Sequence, residues 1–338
     1  MPQLRLFVSL LVLAVCGCLS SLRAEKPRNY RLDELHMRDA SVLADPESQT
    51  YYLVSSMFHN AGHRRGVVMA YTSKDLVEWE GPHKLFDTPE EFWPGATMRG
   101  IWAPEMHAYK GKYYLFITFN TSTELCEQWR EWLPRVRRGS QVLVGDSPLG
   151  PFEPFSREPT PPADMMTLDG TLFVEDGVPY MVYCHEWVQI VNGTVEMIRL
   201  KDDLSGTVGE PQRLFFGNDG PWAKRIDPYG AWVTDGPTFH HSKSGKLFML
   251  WSGVGEGGYT VGLAISDSGK LAGPWRQQAE PVFAEDGGHA FLFHRFDGQL
   301  MMALHQPNSQ TERIRLFEME DTGESLRIVR PFEGKTAK

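Results

Sequence analysis

The chain has 338 residues, of which 41% are hydrophobic and 23% are charged. This composition supports a large buried core and excludes an intrinsically disordered chain. The formal net charge is −9, which argues against nucleic acid as the main partner, because phosphate binding needs a stripe of Lys and Arg. A substrate that is neutral or weakly charged is favoured.

The first residues have the pattern of an export signal. Arg5 supplies a positive charge, an apolar run follows over residues 6–16, and Ala24 offers a small residue for cleavage. The apolar run is too short to cross a bilayer with ease. We predict a signal peptide over residues 1–24, with lipid attachment at Cys18 as the alternative. The mature protein is then exported (periplasmic, extracellular or lipid-anchored) and has no transmembrane span.

Two cysteines remain in the mature part, Cys126 and Cys184. Two cysteines do not make a disulfide framework, although they allow one bridge. Neither has the spacing of a metal-ligand set, so no metal site is predicted from them.

Helical periodicity is scarce along the rest of the chain, and one helix is predicted, near residues 122–132. Nearly everything else consists of short β-rich runs separated by Gly, Pro, Asp and Asn. These runs repeat as a unit. Each unit opens on a small or acidic residue, continues as a strand, and turns into a second strand rich in aromatic or aliphatic residues. The five openings are Asp39, Ala103, Asp169, Asp235 and Gly288.

Five units of about three to four strands predict an all-β fold, a five-bladed β-propeller that forms a single domain over residues 25–338. Radial repetition protects most sheet edges in such a fold. A β-sandwich with accidental similarity between its strands is the alternative. In a propeller the opening residues converge on one mouth of the central channel. We expect residues 126–138 and 218–231 to be insertions on the rim.

Six short motifs follow one another with the spacing of the blades. They are Arg38-Asp39, residues 73–79, Ile101-Trp102-Ala103-Pro104, Leu168-Asp169-Gly170, Asp235-Gly236-Pro237 and Gly287-Gly288-His289. In this order they resemble the motifs of family 43 glycoside hydrolases, and the resemblance covers residues 35–308. It implies a five-bladed propeller that cleaves arabinofuranosyl, xylosyl or, in some branches, galactosyl linkages with inversion.

The resemblance also implies roles for individual residues. Asp39 matches the general base of the family. Asp169 matches a second Asp that orients the acid and raises its pKa. Asp235 stands where the family usually has a Glu as general acid, and His289 matches a His near the axis that often lies beside bound calcium or a water cluster.

The chemistry of inversion supports a carboxylate cluster at this mouth. One carboxylate deprotonates water while a carboxylic acid, roughly 6.5–9.5 Å away, protonates the leaving oxygen. A third carboxylate raises the pKa of the acid by repulsion. Asp235 departs from the pattern because its side chain is one methylene shorter than Glu. Glu186, flanked by His185 and Trp187, is the alternative acid, and a third interpretation is that neither residue donates the proton.

Other residues are candidates for contact with the sugar. Trp102 precedes the inner strand of the second blade and is expected to stack on a sugar face. Glu105 either points into the mouth or caps a turn. His289 and His185 lie beside the predicted carboxylates and are further candidates for substrate binding.

The leading interpretation is an exported inverting glycosidase that acts on an oligo- or polysaccharide, first of all an α-L-arabinofuranosidase active on plant-type polysaccharide. A carbohydrate-binding propeller without hydrolysis is the alternative from another class. A third is a related glycosidase that acts on galactofuranosyl or other sugars. No cofactor is required, although His289 allows calcium nearby. Exo and endo action are not distinguished by the sequence.

Overall fold

The structure is a computed structural model that describes residues 27–56, 65–129 and 132–334. The predicted signal peptide and Cys18 lie outside the described residues. Within the described part of the chain, no helix is long and apolar enough to cross a membrane.

The described residues form five separate antiparallel sheets, which are the blades of a propeller. Blade 1 consists of β1 (Arg28–Arg31), β2 (Ser41–Asp45), β3 (Thr50–Ser56), β4 (Val67–Ser73) and β5 (Glu78–Asp87). Blade 2 consists of β6 (Met98–Tyr109), β7 (Lys112–Glu124), β8 (Val136–Gly145) and β9 (Glu153–Pro154). Blade 3 consists of β10 (Thr167–Glu175), β11 (Val178–His185), β12 (Thr194–Leu200) and β13 (Thr207–Phe216).

Blade 4 consists of β14 (Asp235–His241), β15 (Leu247–Gly255), β16 (Gly258–Ser266) and β17 (Trp275–Gln277). Blade 5 consists of β18 (Gly288–His294), β19 (Leu300–Gln306), β20 (Arg313–Asp321) and β21 (Leu326–Pro331). Strands follow chain order within blades 2 to 5, and β1 is added to the outer edge of blade 1 beside β5. The prediction of an all-β, five-bladed propeller is confirmed.

Each blade packs on the next through an apolar cluster of its own, because alternating side chains leave both faces of every sheet hydrophobic. Blades 4 and 5, for example, bury Phe248 and Leu263 against Leu292 and Met302. The ring closes between blades 5 and 1 in the same way, with Leu53 and Trp79 in one cluster with aromatic and aliphatic residues of β18 and β19. No strand is shared across this closure among the described residues.

The helix predicted near residues 122–132 is wrong. β7 continues through Glu124, because the β-branched Thr121 and Thr123 favour an extended chain. The described residues that follow are irregular and are held by Gln128, whose side chain bonds to backbone atoms of Leu125 and Arg135. Helical structure among the described residues is confined to α1 (Trp187–Ile190) and the 3-10 turns Leu32–Glu34 and Gly217–Asp219. The two mature cysteines are free, so the bridge between them does not form.

Candidate active site

Each blade has, within its inner strand or just before it, a residue in the left-handed region of backbone conformation, and in blades 2 to 5 this residue lies at a β-bulge against the second strand. Such a kink turns side chains toward the central mouth. The five residues are Asp39, Ala103, Asp169, Gly236 and His289, with φ angles of 51°, 41°, 56°, 51° and 52°. The predicted alignment is therefore wrong in blades 4 and 5, since Asp235 and Gly288 precede this position by one residue. The left-handed residue of blade 4 is Gly236, because a Cβ there would lie 3.0 Å from the ring of His289.

Asp39 lies between groups that favour its ionised form. Its Oδ1 is 3.1 Å from Nδ1 of His305 and 3.5 Å from Nδ1 of His289, while Oδ2 is 3.5 Å from Nε of Arg38. Burial raises the pKa of Asp39, but His289, His305 and Arg38 together lower it by more than burial raises it. The pKa therefore ends well below its ordinary value. Asp39 is therefore a carboxylate at neutral pH.

Asp169 and Asp235 have the opposite electrostatic environment. Burial raises the pKa of Asp169, and the negative charges of Asp235 and Asp39 raise it further. Burial likewise raises the pKa of Asp235, to about 7, against the hydrogen bond that it accepts from the hydroxyl of Tyr259. Two buried carboxyl groups that repel each other titrate as a pair. The pair holds a proton at neutral pH, while Asp39 does not.

Tyr259 is a residue of this site that the sequence analysis missed. Its hydroxyl donates to Oδ2 of Asp235 over 2.9 Å, and its ring stacks on His305 with centroids 5.5 Å apart. Gly288 makes room for the ring, since a Cβ there would lie 2.5 Å from Tyr259 Cδ1. Tyr259 and His305 follow one topological rule: in these blades the second strand ends at the mouth and the third strand begins there. His305 is near the end of β19 and Tyr259 near the start of β16.

Glu186, the alternative acid, lies directly after β11 as expected, but its carboxylate is already paired. Nη1 of Arg138 donates to both of its oxygens, and the Arg138 guanidinium lies 4.3 Å from the centroid of the Trp102 ring. Burial raises the pKa of Glu186, and Arg138 opposes that rise. A guanidinium that donates to both oxygens favours the ionised form of a carboxyl group over the protonated form that an acid needs. This geometry favours Asp235 over Glu186 as the donor.

The cleft above the mouth has a volume of about 1040 Å³ and brings together most of the predicted residues. Asp39, Asp169, Asp235, His289, Glu186 and Trp102 all line it. Through Trp102, Glu186 and Trp187 it continues into a second cavity of about 580 Å³ over blades 2 and 3. Trp187, which follows Glu186 in the sequence, is thus part of the wall.

Two predicted contact residues do not line the cleft. Glu105 is buried, and its carboxylate lies 3.0 Å from Nε2 of His107. His185 bonds to Glu196 and Gln189. Their role in binding substrate stays a prediction.

Calcium near His289 stays a prediction. Nδ1 of His289 is directed at the carboxylates of Asp39 and Asp169, at 3.5 and 3.7 Å. Among the described residues, no group of three or more His, Cys, Asp or Glu is arranged to hold a metal ion. Calcium prefers six to eight oxygen ligands, and the side chains here do not form such a set, so no chemical step is derived through a metal.

The described residues resemble those of several solved glycosidases. An endo-arabinase from Bacteroides thetaiotaomicron has 34% sequence identity and a TM-score of 0.73, over 90% of this chain and 98% of that one. An α-L-arabinofuranosidase from Lactobacillus brevis shares the fold at 18% identity and a TM-score of 0.66, over 89% and 95% of the two chains.

The sequence is also similar to a curated protein, alpha-L-arabinofuranosidase 43 from Humicola insolens. The identity is 24% over 190 residues, which are 55% of this chain and 37% of that protein, so the match spans little more than a third of the relative. The family description "Glycosyl hydrolases family 43" matches residues 34–330. With this match over most of the chain and a propeller fold in common with family structures, the protein belongs to glycosyl hydrolase family 43 and is a glycosidase.

Proposed function

We propose that this glycosidase hydrolyses arabinofuranosyl linkages of a plant-type polysaccharide outside the cytoplasm. The observation that carries the catalytic part is the opposite protonation of two carboxyl sites in one cleft. Asp39 is held ionised by His305, His289 and Arg38, while burial raises the pKa of Asp235 to about 7. An inverting glycosidase needs this combination of a base and an acid.

The proposed reaction is a single displacement. Asp39 takes a proton from a water molecule as the water oxygen bonds to the anomeric carbon. The glycosidic C–O bond breaks at the same time, and Asp235 gives its proton to the leaving oxygen. Asp169 is not consumed; it titrates together with Asp235, and the pair holds the proton until it is needed. Tyr259 orients the acid through Oδ2 and leaves Oδ1 for the substrate.

The identity of the sugar is proposed from the relatives, and the length of the substrate is proposed from the shape of the cleft. The solved endo-arabinase with 34% identity and the two arabinofuranosidases favour an arabinofuranosyl substrate. The continuation of the cleft past Trp187 favours a chain of sugars over a single unit, because it provides apolar wall on both sides of Trp102.

A panel of aryl glycosides, together with arabinan, tests the proposal. Release from aryl α-L-arabinofuranoside and from arabinan is expected, with NMR showing the inverted anomer as the first product. Release from xylosides or galactofuranosides alone would overturn the sugar assignment. Export is supported by the apolar run over residues 6–16 and is tested by fractionating expressing cells. Unchanged activity after treatment with a chelator would remove calcium from the proposal.

The second cavity gives a matched pair of variants. Leu133 lines it and is 39% exposed, whereas Leu149, 40% exposed, lines neither cavity. We expect Leu133→Glu to lower kcat/KM on arabinan severalfold, with kinetics on the aryl substrate unchanged. Leu149→Glu serves as the control and is expected to leave both substrates unaffected. Equal behaviour of the two variants on arabinan would contradict a polymer that occupies this cavity.

A carbohydrate-binding propeller without hydrolysis is the second candidate, and the short side chain of Asp235 is what favours it. Calorimetric binding of arabino-oligosaccharides, without product from any substrate in the panel, would establish that function instead.

A further inference from the structure

Two of the left-handed residues donate their backbone N–H to a side chain of the preceding blade, and a third, Asp39, has a side chain of the preceding blade at the same place. That side chain belongs in each case to the residue that pairs, in the second strand, with the residue just before the left-handed one. The two bonds are Asp169 N to Thr118 Oγ1 at 2.8 Å and His289 N to Ser252 Oγ at 2.8 Å, whereas Nδ1 of His305 lies 3.3 Å from Asp39 N and closer, at 3.1 Å, to Asp39 Oδ1. Good acceptors at this position therefore join consecutive blades around the mouth.

Blade 3 departs from this pattern. Cys184 occupies the acceptor position, paired with Leu168, and it is fully buried. A thiol is a weak acceptor, and burial raises the pKa of Cys184 well above its ordinary value, so the sulfur keeps its proton. The corresponding donor is the N–H of Gly236 in blade 4. It bonds instead to Oδ2 of Asp169, over 3.0 Å.

We infer that Cys184 is a positioning residue: by offering no strong acceptor, it leaves the N–H of Gly236 to Asp169 and so fixes that carboxylate beside Asp235. The inference rests on the roles proposed above for the two aspartates. Gly236 has little freedom to choose another direction, because its φ is 51° and the ring of His289 fills the space where a side chain would be.

The bond changes the proton balance of the aspartate pair. Burial raises the pKa of Asp169 most, Asp235, Asp39 and Glu105 raise it further, and the N–H of Gly236 lowers it. Nδ1 of His289 lies 3.7 Å from Oδ2 of Asp169 as well. If Gly236 turned to another acceptor, the pKa of Asp169 would rise further, and the pair would hold its proton still more on Asp169 at the expense of Asp235.

Cys184→Ser tests the inference because it supplies a good acceptor of nearly the same size. We expect kcat/KM to fall about tenfold, the order of magnitude of one lost charge-assisted hydrogen bond. The basic limb of the pH profile is expected to move to higher pH, because a higher pKa of Asp169 lets the Asp169–Asp235 pair keep its single proton up to a higher pH. A merely structural defect would admit water, lower both raised pKa values, and move that limb to lower pH.

Cys184→Ala separates the acceptor from the packing. Alanine also leaves Gly236 to Asp169, so the wild-type pH profile and a kcat/KM within about threefold of wild type are expected even if the melting temperature falls through the lost packing. Cys126→Ser, at the exposed cysteine, controls for general effects of removing a thiol.

The outcomes are distinct. A folded Ser variant with wild-type kinetics, or an Ala variant more than tenfold slower than wild type, would overturn the inference. Wild-type protein that hydrolyses nothing would contradict the proposed function instead. In that case the pKa of Asp169 is measured by NMR titration of the carboxyl carbon. If the inference holds, this pKa rises in Cys184→Ser and stays the same in Cys184→Ala. An unchanged pKa in both variants would contradict the inference.

Discussion

The two sides of the mouth share the same backbone kink but set the protonation of their carboxyl groups in opposite ways. On the side of blades 1 and 5, Asp39 leaves its kink among His289, His305 and Arg38, which hold it ionised. On the side of blades 3 and 4, the side chain of Asp169 projects from an equivalent kink. Burial and neighbouring carboxyl groups raise the pKa values of Asp169 and Asp235, so this pair holds a proton. The kink sets position, and the neighbours from the adjoining blade set protonation.

The largest effect is expected from removing the ionised side. Asp39→Asn keeps the size of the side chain but cannot accept a proton from water, so kcat/KM should fall about 10²–10⁴-fold for every leaving group. Circular dichroism and melting temperature should stay near wild type. An active Asp39→Asn variant would contradict the assignment of the base.

Removing the protonated side should depend on the substrate. Asp235→Asn is expected to lose about 10²–10⁴-fold on arabinan, and much less on an aryl arabinofuranoside whose phenol leaves without help. Glu186→Gln is the matched comparison and should show no such difference between substrates. If the leaving-group dependence appeared in Glu186→Gln and not in Asp235→Asn, the acid would be Glu186.

His305→Phe weakens the contrast between the two sides without touching a carboxylate. The aromatic ring can keep its stacking on Tyr259, but the nitrogen that faces Asp39 is lost. The pKa of Asp39 then rises, so its ionised form is lost at a higher pH than in the wild type as the solution is acidified. We expect the acidic limb of kcat/KM to move upward, with a loss of about tenfold near neutral pH. An unmoved acidic limb would show that His289 and Arg38 suffice.

The smallest effect is expected from Tyr259→Phe, which deletes one hydroxyl. That hydroxyl stabilises the ionised form of Asp235, so its loss raises the pKa of the acid and moves the basic limb to higher pH. The misorientation of the carboxyl should cost about threefold to tenfold in kcat. Movement of the basic limb to lower pH would indicate that water had entered the site and that the hydroxyl has no direct role.

Much of the fold was predictable because alternating strands and Gly turns repeat along the chain. The opening position of blade 4 was not, since it depends on which residue takes a positive φ, and an Asp-Gly pair fits either register in sequence. The site residues Asp39, Asp169, Asp235 and His289 were predictable because each lies in a short motif of neighbouring residues.

The residues that sequence reasoning missed act over long separations. His305 is 266 positions from Asp39, and Arg138 is 48 positions from Glu186. No local pattern links such residues, because they meet only when the ring closes. Glu105 and His185 had promising neighbours in sequence but do not line the cleft, because strand register decides which side of a sheet entrance a side chain faces.

The closure between the first and last blades has a consequence for how this protein fails. The contact between Asp39 and His305 crosses the junction between blades 5 and 1, and among the described residues this junction is held by side-chain packing and has no shared strand. A separation of these blades by even a small distance would release the base from its histidine while the other four junctions stay intact. We therefore expect catalysis to be lost at a lower denaturant concentration than β-structure, so that the reaction rate reports whether blades 5 and 1 are still in contact.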